Sequence, residues 1–278
     1  MYFFGYAADT MWIANKLWMP MSRFKSSVFA LLSIFSIATI QVSSFPRLNN
    51  NDGDDTTIVT EWHEALFEQQ LVLSNSLPKF GYENLYAGWK FLRFLQYFGD
   101  SKLRRESGYS LSIHYFESIV DNDPLFEGTY LFLVNTLSMY LGAPEESIRL
   151  MEKGLNSMSP SLPPRSYFIW RHKATDELLF LGDTRAAKSS HEIAADWAEN
   201  SPDEEGEFVA ALSRKTIRFL EADPSSRPAQ IGAWSDVLAR ATDDNIRQKA
   251  IDNIQALGGT ILVNNNGQVT VRYKKDSE

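Results

Sequence analysis

TYLFLVNTLSMYLGAPEESIRLMEKGLN, residues 129–156, decides how this chain folds. Residues 129–141 are apolar on most of the helical circumference, and Gly142-Ala143-Pro144 then makes a tight turn in which the proline suits the first position of a new helix. Residues 145–156 are amphipathic, so the stretch predicts two antiparallel helices. The pattern restarts in YFIWRHKATDELLFLGDTRAAKSSHEIAADWAEN, residues 167–200, around Gly182-Asp183. Gly142 and Gly182 occupy matching turns 40 residues apart, and Pro124, Pro160 and Pro202 follow the second helix of successive pairs at separations of 36 and 42. Such spacing is what stacked helical hairpins need, because no single pair can bury its apolar face alone.

Working outward, residues 84–98 (NLYAGWKFLRFLQYF) predict a mostly buried helix whose narrow polar stripe is Lys90, Arg93 and Gln96. Gly99-Asp100 is its expected stop, Lys102, Arg104 and Arg105 a solvated basic loop, and 111–120 the next helix, ended by Asp123-Pro124. On the carboxy-terminal side, helices are expected over 204–221, 229–241 and 243–257, acting together as a cap. The last has Thr242 or Asp243 as N-cap, Ile246, Ala250, Ile254 and Leu257 as its inward stripe, and Gly258-Gly259 as its stop. Residues 260–273 alternate around Asn266-Gly267 and predict a β-hairpin, which must pack on the terminal helices because a lone hairpin is unstable.

The amino-terminal part differs. Residues 28–42 (VFALLSIFSIATIQV) carry no charge and follow Arg23 and Lys25. Residues 23–45 therefore read as an export signal or a single-pass anchor, with the body on the non-cytoplasmic, periplasmic or lumenal side. Residues 1–22 read as a cytoplasmic extension or an over-called start. Residues 46–57 are an acidic, Asn-rich tether, 58–259 the helical domain, and 274–278 a tail. With 27 Lys and Arg against 35 Asp and Glu, the formal charge is −8, which argues against a nucleic-acid partner. The absence of cysteine removes disulfides, thiol nucleophiles and cysteine metal sites.

Over roughly 84–202 the chain resembles the tetratricopeptide-repeat (TPR) family. Ser147, Met151 and Gly154 stand where that family places a small, a large and a small residue in its second helix, and Ala187, His191 and Ala194 take those places in the next unit. His191 departs from the usual large apolar residue, the first-helix Trp, Gly and Tyr signature is weak, and the repeat spacing exceeds 34. The resemblance implies an all-α fold, a right-handed α-α superhelix of helical hairpins, here with a small β-hairpin appended. It also implies protein or peptide binding. With the amino-terminal segment, it is similar to single-pass TPR-like proteins of photosynthetic membranes, which implies a role in assembling or maintaining a membrane complex.

Catalytic signatures are few. Trp62-His63-Glu64-Ala65-Leu66 opens like a zincin motif, but Phe67 stands where the second imidazole must be. No phosphate-cradling glycine loop or nucleophile elbow occurs, and the four histidines, His63, His114, His172 and His191, fall on separate helices. No catalytic residue, metal site or cofactor is assigned. What remains is a groove lined by the first helix of each pair: Tyr86, Trp89, Arg93 and Gln96, then Phe132, Thr136 and Met139, then His172 and Asp176. The expectation is a membrane-anchored scaffold that holds a protein partner in this groove. Two alternatives stand beside it: an exported enzyme using His172, Asp176 or Glu177 as acid or base, and an apolar-ligand carrier with a cavity walled by Phe91, Phe94 and Phe98.

Overall fold

A computed structural model describes residues 56–76, 78–222, 226–263 and 269–273, together with Ser36. The extension 1–22, all but Ser36 of 23–45, the tether up to residue 55, the Asn266-Gly267 turn and the tail 274–278 lie outside the described residues. The chain divides into two units, Met1–Asp54 and Asp55–Glu278, and the second is described here. It is all-α with one small β-hairpin. Its elements are α1 (Thr56–Ser76), α2 (Glu83–Gly99), α3 (Ser101–Ser107), α4 (Ser112–Asn122), α5 (Gly128–Val134), continued as a π-helix, π1 (Asn135–Tyr140), α6 (Pro144–Leu155), α7 (Tyr167–Leu179), α8 (Thr184–Glu199), α9 (Gly206–Glu221), α10 (Arg227–Arg240), α11 (Asp244–Ala256), β1 (Gly259–Val263) and β2 (Val269–Tyr273). Among the described residues no helix is long and apolar enough to cross a membrane. Thr56 and Thr57, expected in the tether, open α1.

Successive hairpins stack: α2 packs on α4, α4 on α6, α6 on α7, α7 on α8 and α8 on α9. The 40-residue repetition is visible in the backbone. Gly142 and Gly182 are both left-handed, at φ 56° and 68°. Around them the Leu141 N–H donates to the Thr136 carbonyl at 3.1 Å and Ala143 to Leu137 at 2.8 Å, while Leu181 donates to Asp176 at 3.2 Å and Asp183 to Glu177 at 2.8 Å. Each pair of bonds satisfies carbonyls that a helix end leaves orphaned. Pro144 opens α6, whereas the Asp183 carboxylate caps α8 by accepting from the Ala186 N–H at 2.9 Å.

The second helices bury the small-large-small positions in both units: Ser147, Met151 and Gly154, then Ala187, His191 and Ala194. Gly154 is a close approach, since a methyl group there would lie 1.7 Å from the hydroxyl oxygen of buried Tyr130. Tyr130 in turn donates to the Pro124 carbonyl at 2.8 Å. The main core runs from α1 to α7 and is rich in rings: Phe94 packs on Phe116 at 4.4 Å between centroids, on Phe98 at 5.6 Å and on Phe91 at 6.2 Å. The three phenylalanines expected to wall a carrier cavity are therefore filled core.

Three expectations need correction. The basic loop is helix α3, and Arg104 is fully buried, its guanidinium 3.7 Å over the Tyr97 ring and donating to the Gly108 carbonyl at 2.5 Å. A loop drawn from composition missed that a guanidinium can be buried when a ring covers its face and a carbonyl accepts from it. Lys90 is not part of a polar stripe but is 1% exposed, donating to the Leu71 carbonyl at 3.2 Å and to the Ser74 hydroxyl; burial holds its ammonium pKa down at about 8. Third, the last helices do not all cap the end of the stack. Helix α9 continues the stack, but α10 and α11 lie across its turns. A methyl group on Gly182 would meet Gln230, one on Gly142 would meet Val237 and Trp234, and one on Gly108 would meet Asp243 and Thr242. The order 230, 234, 237, 243 against 182, 142, 108 shows this strap running backward along successive turn glycines. Phe180, Ile231, Trp234, Val237, Ile246, Ala250 and Ile254 form its own core, and Ile261 and Val271 of the hairpin pack on it. The hairpin is antiparallel, with Ile261 opposite Val271. Asp243 is the N-cap of α11, accepting from the Ile246 N–H at 2.9 Å.

Candidate functional site

Two contiguous hollows lie along α5, π1 and α7. The first, about 320 Å³, is lined by Glu127, Gly128, Tyr130, Leu131, Arg165, Phe168, Ile169 and His172. The second, about 410 Å³, lies between π1, α7 and the strap helix α10, with Asn135, Ser138, Met139, Asp176, Leu179, Phe180 and Asp236 among its walls. Leu131 and His172 line both, so the two hollows adjoin and are together called the cleft.

Of the nine residues expected in the groove, Met139, His172 and Asp176 line this cleft. Phe132 turns its ring against Phe91, 5.1 Å away, and Thr136 is buried. The cleft stripe is Leu131, Asn135, Ser138 and Met139, adjacent to the expected one. The wider π turn explains part of the offset, because a turn closed by a bond five residues back presents both Ser138 and Met139 to the same side. The α2 residues go elsewhere. The Tyr86 hydroxyl donates to the Asn75 side-chain oxygen at 3.0 Å, and Arg93 donates to Gln70 and, at 2.9 Å, to Gln96, so Tyr86 and Arg93 are engaged by α1. Trp89 and Gln96 are exposed on the same helix.

The floor of the cleft is polar and structured. Asp176 is 1% exposed and accepts the Ser138 hydroxyl at 2.7 Å. Burial pushes its carboxyl up to about 7, with the Ser138 hydrogen bond pulling the other way. His172, half-buried one turn earlier, is held below the usual imidazole range by burial and then by the Arg171 charge. Glu177 does not share this site. It pairs with Lys173 at 2.6 Å in a buried cluster where Lys173 also donates to Ser190 at 3.2 Å and meets Glu152 at 3.3 Å. Adjacent carboxylates that look like an acid–base pair in sequence thus face two different helix interfaces. Among the described residues no three His, Asp or Glu side chains are grouped to hold a metal ion.

The sequence carried no signal for the contribution of α10, whose Ala229, Ala233 and Asp236 wall the second hollow. The first hollow closes with the opposite charges of Glu127 and Arg165, and Arg165 also bonds Glu205 at 3.0 Å. Comparison with known protein families, curated proteins and solved structures returns no match for this chain.

Proposed function

We propose that this chain is a membrane-attached helical scaffold that holds a segment of a protein partner in the cleft along α5, π1 and α7. The observation that carries the reading is that the two hollows lie side by side along α5, π1 and α7, with Leu131 and His172 as common walls. Together they offer mostly apolar walls, a few fixed polar groups, the opposite charges of Glu127 and Arg165 in one hollow and Asp236 in the other, an arrangement suited to a peptide segment. The enzyme reading has less support, since Glu177 is committed to Lys173 and Asp176 to Ser138. The membrane part rests on the basic-flanked apolar segment within 23–45.

Leu131 is half exposed and common to both hollows, so Leu131→Arg blocks the cleft without touching the core. A photoreactive side chain at Asn135 is expected to cross-link one defined protein, and Leu131→Arg to weaken its capture by about tenfold or more with unchanged thermal unfolding. Capture that survives Leu131→Arg, or co-purification of a small apolar molecule in place of a protein, overturns the reading.

A further inference from the structure

The outward side of the α1–α2 hairpin is apolar where a solvated helix should be polar. Tyr82, the residue capping α2, and Leu85, Trp89 and Leu92 on it recur at separations of three and four, opposite the face that buries Ala87, Phe94 and Tyr97. They are 65%, 69%, 45% and 60% exposed. The Arg93–Gln70 hydrogen bond joins α2 to α1 beside this row. Leu66 and Leu73 sit four before and three after Gln70, so they extend the patch onto α1, and both are exposed. At the turn between the helices Phe80 is 83% exposed and held at φ 53°, a left-handed conformation that costs an aromatic residue energy.

The chemistry of this patch points to one occupant. Its aromatic members, Phe80, Tyr82 and Trp89, are the residue types that settle at a bilayer–water boundary, and Leu85, Leu92 and Leu73 supply aliphatic surface beside them. Among the side chains of the α2 row and its α1 extension none is a carboxylate, although the chain as a whole carries −8. The charges beside it are two cations, Arg93, and Lys79 over the Tyr86 ring, and one carboxylate, Glu83 in the first turn of α2. An acidic protein that keeps one apolar face whose flanking charges are cations by two to one suits a bilayer boundary, where the rings and aliphatic side chains supply the attraction and the cations meet the headgroups. The position in the chain agrees. Residues 46–55 alone separate the 23–45 segment from α1, and ten residues reach at most about 35 Å when extended.

We propose that the Phe80 turn and the Tyr82–Leu85–Trp89–Leu92 face of α2 lie in the interfacial layer of a lipid bilayer; this rests on the reading of the chain as membrane-attached. The absence of native cysteine makes the test clean. Full-length chains carrying Leu85→Cys, or Gln255→Cys on exposed α11 as control, are labelled with an environment-sensitive fluorophore. They are then reconstituted with vesicles of phosphatidylcholine and phosphatidylglycerol containing a lipid-borne quencher. The proposal expects co-flotation with vesicles and quenching at Leu85 several-fold stronger than at Gln255. Co-flotation with equal quenching at the two sites overturns the proposal and leaves the attachment intact. Failure to float overturns both. Pyrene labels at Leu85 that form excimers in lipid-free solution assign the face to a second copy of the chain, and that too overturns the proposal.

Discussion

Replacing Asp176 with asparagine should stabilise the protein at alkaline pH and leave it unchanged in acid. The carboxyl is buried between α7 and π1, and its pKa stands at about 7 against an ordinary 3.8. Because the folded value is the higher one, the protonated side chain is the one the fold accepts. Its stability is fully present below pH 4 and is lost as pH rises through 7. About three pKa units at about 1.4 kcal/mol each give a cost of about 4 kcal/mol at pH 8, and relaxation around the charge brings the expected value to about 2–4 kcal/mol. Asparagine keeps an acceptor for the Ser138 hydroxyl and never ionises. Urea unfolding of wild type and Asp176→Asn at pH 4 and pH 8 should therefore show coincident midpoints in acid. In base, the variant midpoint should lie about 1 M higher. A variant destabilised equally at both pH values would mean that the carboxylate is ionised and useful where it sits, and the reasoning would fail.

His191 should show the opposite slope: burial, then Arg171, hold its pKa down at about 4 against 6.5, so it contributes stability above pH 6.5 that is lost as pH falls toward 4. His191→Met, which copies Met151 of the preceding unit, should gain about 2 kcal/mol over wild type at pH 5 relative to pH 8, read from the same urea curves. Gly154→Ala should cost about 1–3 kcal/mol although alanine is the better helix former, because the new methyl group meets the Tyr130 hydroxyl. Tyr130→Phe in that background should recover part of the loss, and purely additive effects of the two substitutions would refute the contact.

The repeat was legible because it rests on local chemistry. Glycines that must turn left-handed, a proline that opens a helix, and small residues where ring and backbone meet leave marks at fixed spacing, as Gly142, Gly182, Pro144 and Gly154 do. The Asp243 cap and the Ile246, Ala250, Ile254 stripe were readable for the same reason. What was hidden depends on partners distant in sequence. Nothing near Gln230 or Trp234 announces that they will cover turns some 50 and 90 residues earlier. Lys90 and Arg104 look solvated until a carbonyl, a hydroxyl or an aromatic face from another helix receives them. The groove stripe was misplaced by one position from Leu131 onward, because the side an apolar helix turns to the cleft is set by its distant neighbours, with Phe132 drawn onto Phe91; π1 adds only that Ser138 and Met139 share a side. Asp176 and Glu177 were legible as carboxylates but not as members of separate clusters.

The strap of α10 and α11 has a mechanical consequence. A stack of hairpins joined only through nearest neighbours can flex like a spring, each unit tilting on the next. Here α10 seats against the Gly142 and Gly182 turns, and its junction with α11 reaches the Gly108 turn, so three units are tied along one edge. Tilting the Gly142 unit would prise Trp234 and Val237 from its turn, and tilting the next would draw the Gly182 turn off Gln230, so this edge resists changes in curvature.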